Sequence, residues 1–131
     1  YRSSRGLGDV YKRQLQNTSI LESSANELAP YFAKALESLA DHPVVGQVRA
    51  KGLVAAVELV KDKGSRERLA PESGGAVYTR DRAIENGLML RQTGDAMIMS
   101  PPFVTSTEEV DALLSKLTSA LDKTAAFYNV K

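Results

Sequence analysis

Residues 44–60, with the sequence VVGQVRAKGLVAAVELV, contain two short apolar runs that decide the fold class. Val44–Arg49 and Leu53–Val60 are rich in β-branched residues, and Ala50-Lys51-Gly52 separates them. Such residues favour strands, and a glycine between two strand-like runs can supply the backbone angles of a tight turn. We therefore predict a β-hairpin at this point of the chain.

A helical pattern precedes the hairpin, from Leu15 to Ala40. Pro30 lacks a backbone donor and clashes one turn back, so it predicts either the first turn of the main helix or a kink. Asp41-His42-Pro43 should end the helix, because the residue before a proline avoids helical angles. The predicted apolar face consists of Leu28, Tyr31, Phe32, Ala35, Leu36 and Leu39.

A charged loop with several glycines, 61–75, follows the hairpin, and a second helix is predicted over 76–85. Asn86-Gly87 should end that helix, since both residues tolerate a left-handed conformation. The residues predicted to face inward are Ala76, Val77, Ala83 and Ile84.

Two more strands are predicted next, Leu88–Arg91 and Ala96–Met99, joined by Gln92-Thr93-Gly94-Asp95. Ser100-Pro101-Pro102 should end the second one, because proline cannot donate to a sheet.

The last helix has the strongest local signal. Ser106-Thr107-Glu108-Glu109 is a capping box, in which Ser106 accepts from the third helical amide and Glu109 reaches back. An apolar stripe follows, made of Val110, Leu113, Leu114, Leu117 and Leu121. The order helix, two strands, helix, two strands, helix predicts an α+β fold. We expect an open, largely antiparallel sheet with helices packed on one face.

Composition narrows the functional classes. The 131 residues fit one domain, and 43% of them are apolar. Seventeen basic and sixteen acidic side chains give a net charge of +1, which provides no electrostatic reason to expect nucleic acid or a membrane as partner. Cysteine is absent, so thiolate metal sites and cysteine nucleophiles are excluded, and a reducing cytoplasm is compatible with the sequence.

Residues 1–14, YRSSRGLGDVYKRQ, differ from the rest of the chain. Four of them are basic, and glycine and serine fill the gaps. We expect a disordered tail without function, and the string also resembles translated adapter or assembly sequence.

Few side chains could carry out catalysis. His42 is the only histidine, which leaves a histidine-based metal site or triad without partners, and its simplest role is to end a helix. Asp62 and Glu67 lie in the charged loop, and helix capping accounts for Glu108 and Glu109. We expect no catalytic, cofactor-binding or metal-binding residue in this chain.

Arg91 is the exception. It ends a predicted strand and enters a glycine-bearing turn, where a guanidinium can offer a planar fork to a carboxylate. Most arginines at strand ends are surface residues, so this pattern alone is weak evidence for a site.

Two longer segments add specificity, HPVVGQVRAKGLVAAVELV at 42–60 and ENGLMLRQTGDAMIMSPPFVTSTEEVDALLSKLTSALD at 85–122. Their ordered pattern is G-L-x-x-R, then G-D, then P-P before a capped helix. It resembles the class III pyridoxal-phosphate (PLP) aminotransferases, most of all the ω-aminotransferase branch with its β-alanine–pyruvate and amine–pyruvate enzymes.

The resemblance implies a C-terminal small domain of a fold-type I PLP enzyme, which belongs to the α/β class as a whole. By this reading, residues 15–42 form a connecting helix and residues 43–131 the small domain. It also implies a homodimer, PLP bound mostly outside this chain, and a role for Arg91 in binding the carboxylate of an amino or oxo acid.

The family's Schiff-base lysine has no counterpart here. Lys51 lies in the strand turn, and Lys12, Lys61, Lys63, Lys116, Lys123 and Lys131 lie in a tail, a loop or exposed helix positions. A Schiff-base lysine must be desolvated to lose its proton near neutrality. We therefore expect part of a transaminase that is inactive in isolation.

Two alternatives stay open at this point. One is a non-catalytic α+β binding or dimerisation module. The other is a different class III branch, such as the acetylornithine, 4-aminobutyrate or glutamate-semialdehyde enzymes. The Gly-Asp and Ser-Pro-Pro motifs modestly disfavour these branches.

Overall fold

Two β-hairpins, paired through their inner strands, form the sheet in the computed structural model, which describes residues 2–69 and 74–131. Helices α1 to α5 span Arg2–Gln16, Ile20–Ser23, Ala29–Glu37, Gly75–Glu85 and Thr107–Tyr128. Strands β1 to β5 span Val45–Lys51, Val54–Asp62, Glu67–Arg68, Arg91–Thr93 and Ala96–Met99. The part of the predicted loop around Pro71 lies outside the described residues.

The sheet order is β1-β2-β5-β4, and every pairing in it is antiparallel, as predicted. The first hairpin is confirmed, but its turn is the dipeptide Gly52-Leu53, so Ala50 and Lys51 continue strand β1. Gly94-Asp95 makes the second turn. Gly52 and Gly94 have φ of +60° and +57°, angles that glycine adopts without steric cost. The short β3, missed in the charged loop, pairs with the far end of β2.

Burial alternates along β2, because successive side chains of a strand point to opposite faces. Ala55, Val57 and Leu59 are buried, whereas Val54 is 54% exposed. The buried residues join one core with α3, α4 and α5, so the helices cover one face of the sheet. We name the other side the open face; it carries Arg49, Val54, Ala56, Glu58, Arg91, Ala96 and Ile98.

The predicted helix before the hairpin forms in sections. A π-helical turn, Ser24–Leu28, precedes α3, and a 3-10 turn, Ser38–Asp41, follows it. Pro30 lies in the first turn of α3, which confirms the first of the two predicted positions. The wider π turn immediately before it is a common way to accommodate a break in helical hydrogen bonding.

The face predicted for that helix is mostly confirmed. Leu28, Phe32, Leu36 and Leu39 are buried. Tyr31 is instead half exposed, and its hydroxyl donates to Asp111 Oδ1 at 2.7 Å, which links α3 to α5.

The inner face predicted for α4 is only half right. Ala76 and Ala83 are buried, but Val77 and Ile84 are 36% and 43% exposed. Thr79 is fully buried in their place. The reason is a polar contact between helices, since the Thr79 hydroxyl lies 2.8 Å from that of Thr124 on α5.

The strand predicted at Leu88–Arg91 is displaced, because β4 begins at Arg91. The Leu88 N–H is already used by the end of α4, where it donates to the Ala83 carbonyl at 2.9 Å. Gly87, with φ of +76°, donates to the Ile84 carbonyl at 2.9 Å. Together these bonds form a Schellman motif, which confirms the helix end predicted at Asn86-Gly87. Because the Leu88 N–H is part of this motif, the strand begins later than predicted.

The capping box of α5 is confirmed. Ser106 Oγ accepts from the Glu109 N–H at 3.2 Å, and Glu109 Oε2 accepts from the Ser106 N–H at 2.9 Å. Val110, Leu117 and Leu121 of the stripe are buried, and Leu113 and Leu114 pack partly buried at the edge of the core.

Helix α1 includes nearly all of the segment for which a tail was predicted. From Gly6 to Gln14 its residues are exposed. Among the described residues, no helix is long and apolar enough to span a membrane.

The buried threonine pair gives a first prediction. Thr79 and Thr124 also approach the carbonyls of Gly75 and Ala120, at 3.0 and 2.8 Å, so three contacts share two hydroxyl protons. Thr79→Val and Thr124→Val should each destabilise by about 1 kcal/mol. The double variant should cost less than their sum, because no buried hydroxyl is left behind. Urea unfolding of all four proteins measures this, and additive losses would contradict it.

The capping box gives a second prediction. Ser106→Ala should lower the free energy of unfolding by about 1 kcal/mol, because an amide at the helix start loses its acceptor. Thr107→Ala, one residue further on, is the matched control, since among the described residues the Thr107 side chain hydrogen-bonds to the neighbouring Glu108 carboxylate and not to the helix backbone. Equal unfolding midpoints in urea for Ser106→Ala and the unsubstituted chain would refute the contribution.

Candidate functional site

Arg91 lies at the start of edge strand β4, not at the end of a strand as predicted, and it is exposed. It pairs with Ile98 of β5, which pairs with Ala56 of β2, which pairs with Arg49 of β1. Directly opposed residues of antiparallel strands point to the same face. Arg91 and Arg49 therefore flank a small apolar floor on the open face.

The two arginines differ in their partners. Arg49 contacts Glu58 Oε2 at 3.3 Å and Gln47 Oε1 at 3.2 Å. Within residues 2–69 and 74–131, Arg91 forms no ion pair and no side-chain hydrogen bond. Of the two guanidinium groups, that of Arg91 can therefore bind a carboxylate without first breaking a contact with another described residue.

Arg91 also borders a groove of about 920 Å³, which we name the β4 groove. The groove runs along the edge strand, between the end of α4, the residues that leave β5, and the first three turns of α5. Its apolar wall is formed by Leu88, Met89, Leu90, Pro101, Pro102 and Leu113.

Most charged groups of the β4 groove are already engaged. Arg80 donates to Asp81 Oδ1 through Nε at 3.0 Å and through Nη2 at 2.7 Å. Lys116 Nζ lies 3.5 Å from the Gly87 carbonyl, at the negative end of the α4 dipole, where a cation is favoured. Glu109 belongs to the capping box. Among the described residues, Arg91 is the groove cation for which no such partner is found.

The backbone that carries Arg91 is held at the adjoining turn. Asp95 forms an ion pair with Arg68 Nε, and its carbonyl accepts from the Leu59 N–H at 2.8 Å. Gln92 Nε2 donates to the Gly94 carbonyl at 2.8 Å. The turn is therefore fixed to β2 and to the charged loop, and the register of β4 is fixed with it.

Other polar residues considered from the sequence have local roles. The His42 ring lies between two groups, since Nδ1 accepts from the Val44 N–H at 3.3 Å and Nε2 lies 3.1 Å from Asp122 Oδ1. The ring thereby links the start of β1 to α5. His42 also directly follows the 3-10 turn Ser38–Asp41, where the helical segment ends. No cluster of three or more metal-ligating side chains occurs in the part of the chain that the structure describes.

The paired carboxylates do not form a site. Asp62 accepts from the Ser65 N–H at 2.6 Å and its hydroxyl at 2.8 Å, and these bonds lower the pKa of Asp62. Glu67 binds Lys61 Nζ at 2.8 Å, which raises the pKa of Lys61. At the helix start, hydrogen bonding by its own backbone N–H and by Ser106 lowers the pKa of Glu108.

The lysines do not suit a covalent link to PLP. All of them are exposed: Lys12, Lys34, Lys51, Lys61, Lys63, Lys116, Lys123 and Lys131. An exposed ammonium keeps its proton near neutrality, whereas a Schiff-base nucleophile must lose it.

Sequence reasoning missed Met89, which is 83% exposed and lines the β4 groove. It lies two residues before Arg91. In an extended segment that spacing puts two side chains on one side, so the period-two pattern could have identified it.

Comparison with known proteins identifies the family of the chain. The profile of the family described as aminotransferase class III matches residues 13–121. The chain is 44% identical over 114 residues to the putrescine–pyruvate aminotransferase of Pseudomonas aeruginosa, covering 87% of this chain and 25% of that protein. It is 35% identical over 99 residues to the mitochondrial gamma aminobutyrate transaminase 1 of Solanum lycopersicum, covering 76% of this chain and 19% of that protein.

A solved structure shares the fold. The omega transaminase of Pseudomonas jessenii in complex with PMP superposes with a TM-score of 0.83 and 32% identity, covering 89% of this chain and 26% of that one. The chain thus spans about a quarter of the length of such relatives. The family match over most of its residues shows that the chain belongs to the class III aminotransferases.

Proposed function

We propose that this chain is the C-terminal small domain of a PLP-dependent aminotransferase. The complete enzyme would move an amino group between an amine or ω-amino acid and an oxo acid such as pyruvate. The observation that carries the proposal is the guanidinium of Arg91, which has no carboxylate partner among the described residues and borders an apolar groove.

The substrate class follows from the relatives and from Arg91 together. One relative is named for putrescine and pyruvate, and another for gamma-aminobutyrate. Both donors are primary amines on an unbranched chain, and pyruvate and gamma-aminobutyrate each carry a carboxylate. A binding site for this class needs a carboxylate contact beside an apolar wall, and the β4 groove offers both.

The role of Arg91 is to bind and orient that carboxylate. A guanidinium can donate two parallel hydrogen bonds to the two carboxylate oxygens, which fixes the direction of the substrate as well as its position. The apolar wall beside it limits access of water, and a charged contact is stronger where water is excluded. A substrate without a carboxylate would gain nothing from Arg91.

The cofactor belongs to the rest of the enzyme in this proposal. Bound PLP supplies an electron sink for amino-group transfer. Since every lysine of this chain is exposed, we expect the anchoring lysine elsewhere in the protein and no transaminase activity from this chain alone. A homodimer and a cytoplasmic location complete the proposal by family resemblance.

The test uses a full-length aminotransferase that carries this chain. Arg91→Ala should raise KM for pyruvate about 10- to 100-fold, which corresponds to the loss of a charged hydrogen bond. KM for an arylamine donor without a carboxylate should change little. Arg91→Lys should recover only part of the pyruvate affinity, because an ammonium lacks the planar fork.

Arg49→Ala is the matched control, since Arg49 lies on the same cross-strand row but is engaged with Glu58. It should leave the ratio of the two KM values unchanged. Equal effects of Arg91→Ala on pyruvate and on the arylamine would defeat the proposed carboxylate contact.

A further inference from the structure

Met89 is a large apolar residue that does not contribute to the hydrophobic core. Its side chain is 83% exposed, more than any other large apolar side chain in the described part of the protein. The residues on either side, Leu88 and Leu90, are buried in the core. The local backbone is therefore well anchored, and it holds a flexible apolar side chain out into the β4 groove.

The position of Met89 relative to Arg91 follows from the alternation of burial. From Leu88 to Arg91 the residues are buried, exposed, buried and exposed. Side chains two residues apart in an extended segment lie on the same side, about 7 Å from each other. Met89 and Arg91 thus lie on the same side of this segment, and both line the β4 groove.

Both ends of this segment are fixed. The Leu88 N–H is bonded to the Ala83 carbonyl, and Arg91 pairs with Ile98 in the sheet. The spacing between the two side chains is set by this backbone and does not depend on a loop closing. A carboxylate on Arg91 would have its neighbouring carbon atoms within reach of Met89.

The geometry points to Met89 as a specificity-determining residue that contacts the alkyl part of a carboxylate ligand held by Arg91. This inference rests on the proposed function and adds a preference for longer, unbranched chains. Methionine has three rotatable bonds and a polarisable sulfur, so it can follow alkyl chains of different length without a rigid pocket. Binding should therefore improve with each added methylene group.

The test uses the 131-residue chain labelled at its methionine methyl groups. The sequence has three methionines, and Met97 is fully buried and does not line the β4 groove, so its signal serves as the internal control. Acetate, butanoate and hexanoate are titrated, with hexylammonium as the probe of opposite charge. The Met89 methyl signal should shift, and the dissociation constant should fall about two- to fourfold per methylene group.

Three variants separate this inference from the proposed function. Met89→Gln lacks the reporter methyl group and is therefore followed by calorimetry; it should bind acetate as the unsubstituted chain does, but should lose the dependence on chain length. Arg91→Gln should weaken the binding of all three carboxylates. Val54→Thr changes an exposed apolar residue outside the β4 groove and should change neither property. The Met97 signal shows in each case that the fold is retained.

Each remaining outcome decides against the role of Met89 alone or against both ideas. If Arg91→Gln abolishes binding while Met89→Gln keeps the full dependence on chain length, the role of Met89 is wrong and that of Arg91 stands. If Arg91→Gln binds like the unsubstituted chain, or hexylammonium binds like hexanoate, the carboxylate contact fails and the inference fails with it. The absence of any shift at Met89 with hexanoate overturns the role of Met89.

Discussion

The pairing of β2 with β1 on one edge and β5 on the other constrains the rest of the structure. Because both pairings are antiparallel, the inward set Ala55, Val57 and Leu59 dictates which side chains of the neighbouring strands also point inward. A slip of one residue would exchange the two faces of the sheet. Helices α3, α4 and α5 cover only one side of the sheet, and the other side is the open face.

This register also sets the chemistry of the candidate site. Ile98 is paired with Ala56, which points outward, and Arg91 is paired with Ile98, so the guanidinium cannot belong to the core. The ion pair of Asp95 with Arg68 then holds the turn that follows β4. The position of Arg91 depends on two successive strand pairings, β2 with β5 and β5 with β4. The residues next to Arg91 in the sequence do not specify these pairings, so they were weak evidence on their own.

Features that are caused by neighbouring residues could be predicted from the sequence, whereas features that are caused by tertiary packing could not. The capping box at Ser106 and the Schellman end at Gly87 arise from neighbours in sequence, and both were recognised. The limits of β4 were not, because the Leu88 N–H is used by the preceding helix. The exposure of Val77 was missed because α5 selects the inner face of α4. The β4 groove could not be foreseen, since it depends on how the end of α4, the edge strand and the start of α5 pack against one another.

The anchored backbone around Arg91 has a consequence in conformational entropy. With Leu90 buried and β4 paired, the freedom of Arg91 lies in its side chain, whose rotamers carry about 2 kcal/mol of entropy. In the proposed role, holding a carboxylate would cost part of that entropy, and the charged hydrogen bonds would have to exceed it. A donor without a carboxylate would leave the rotamers free, so one site could accept two kinds of substrate without any change in the fold.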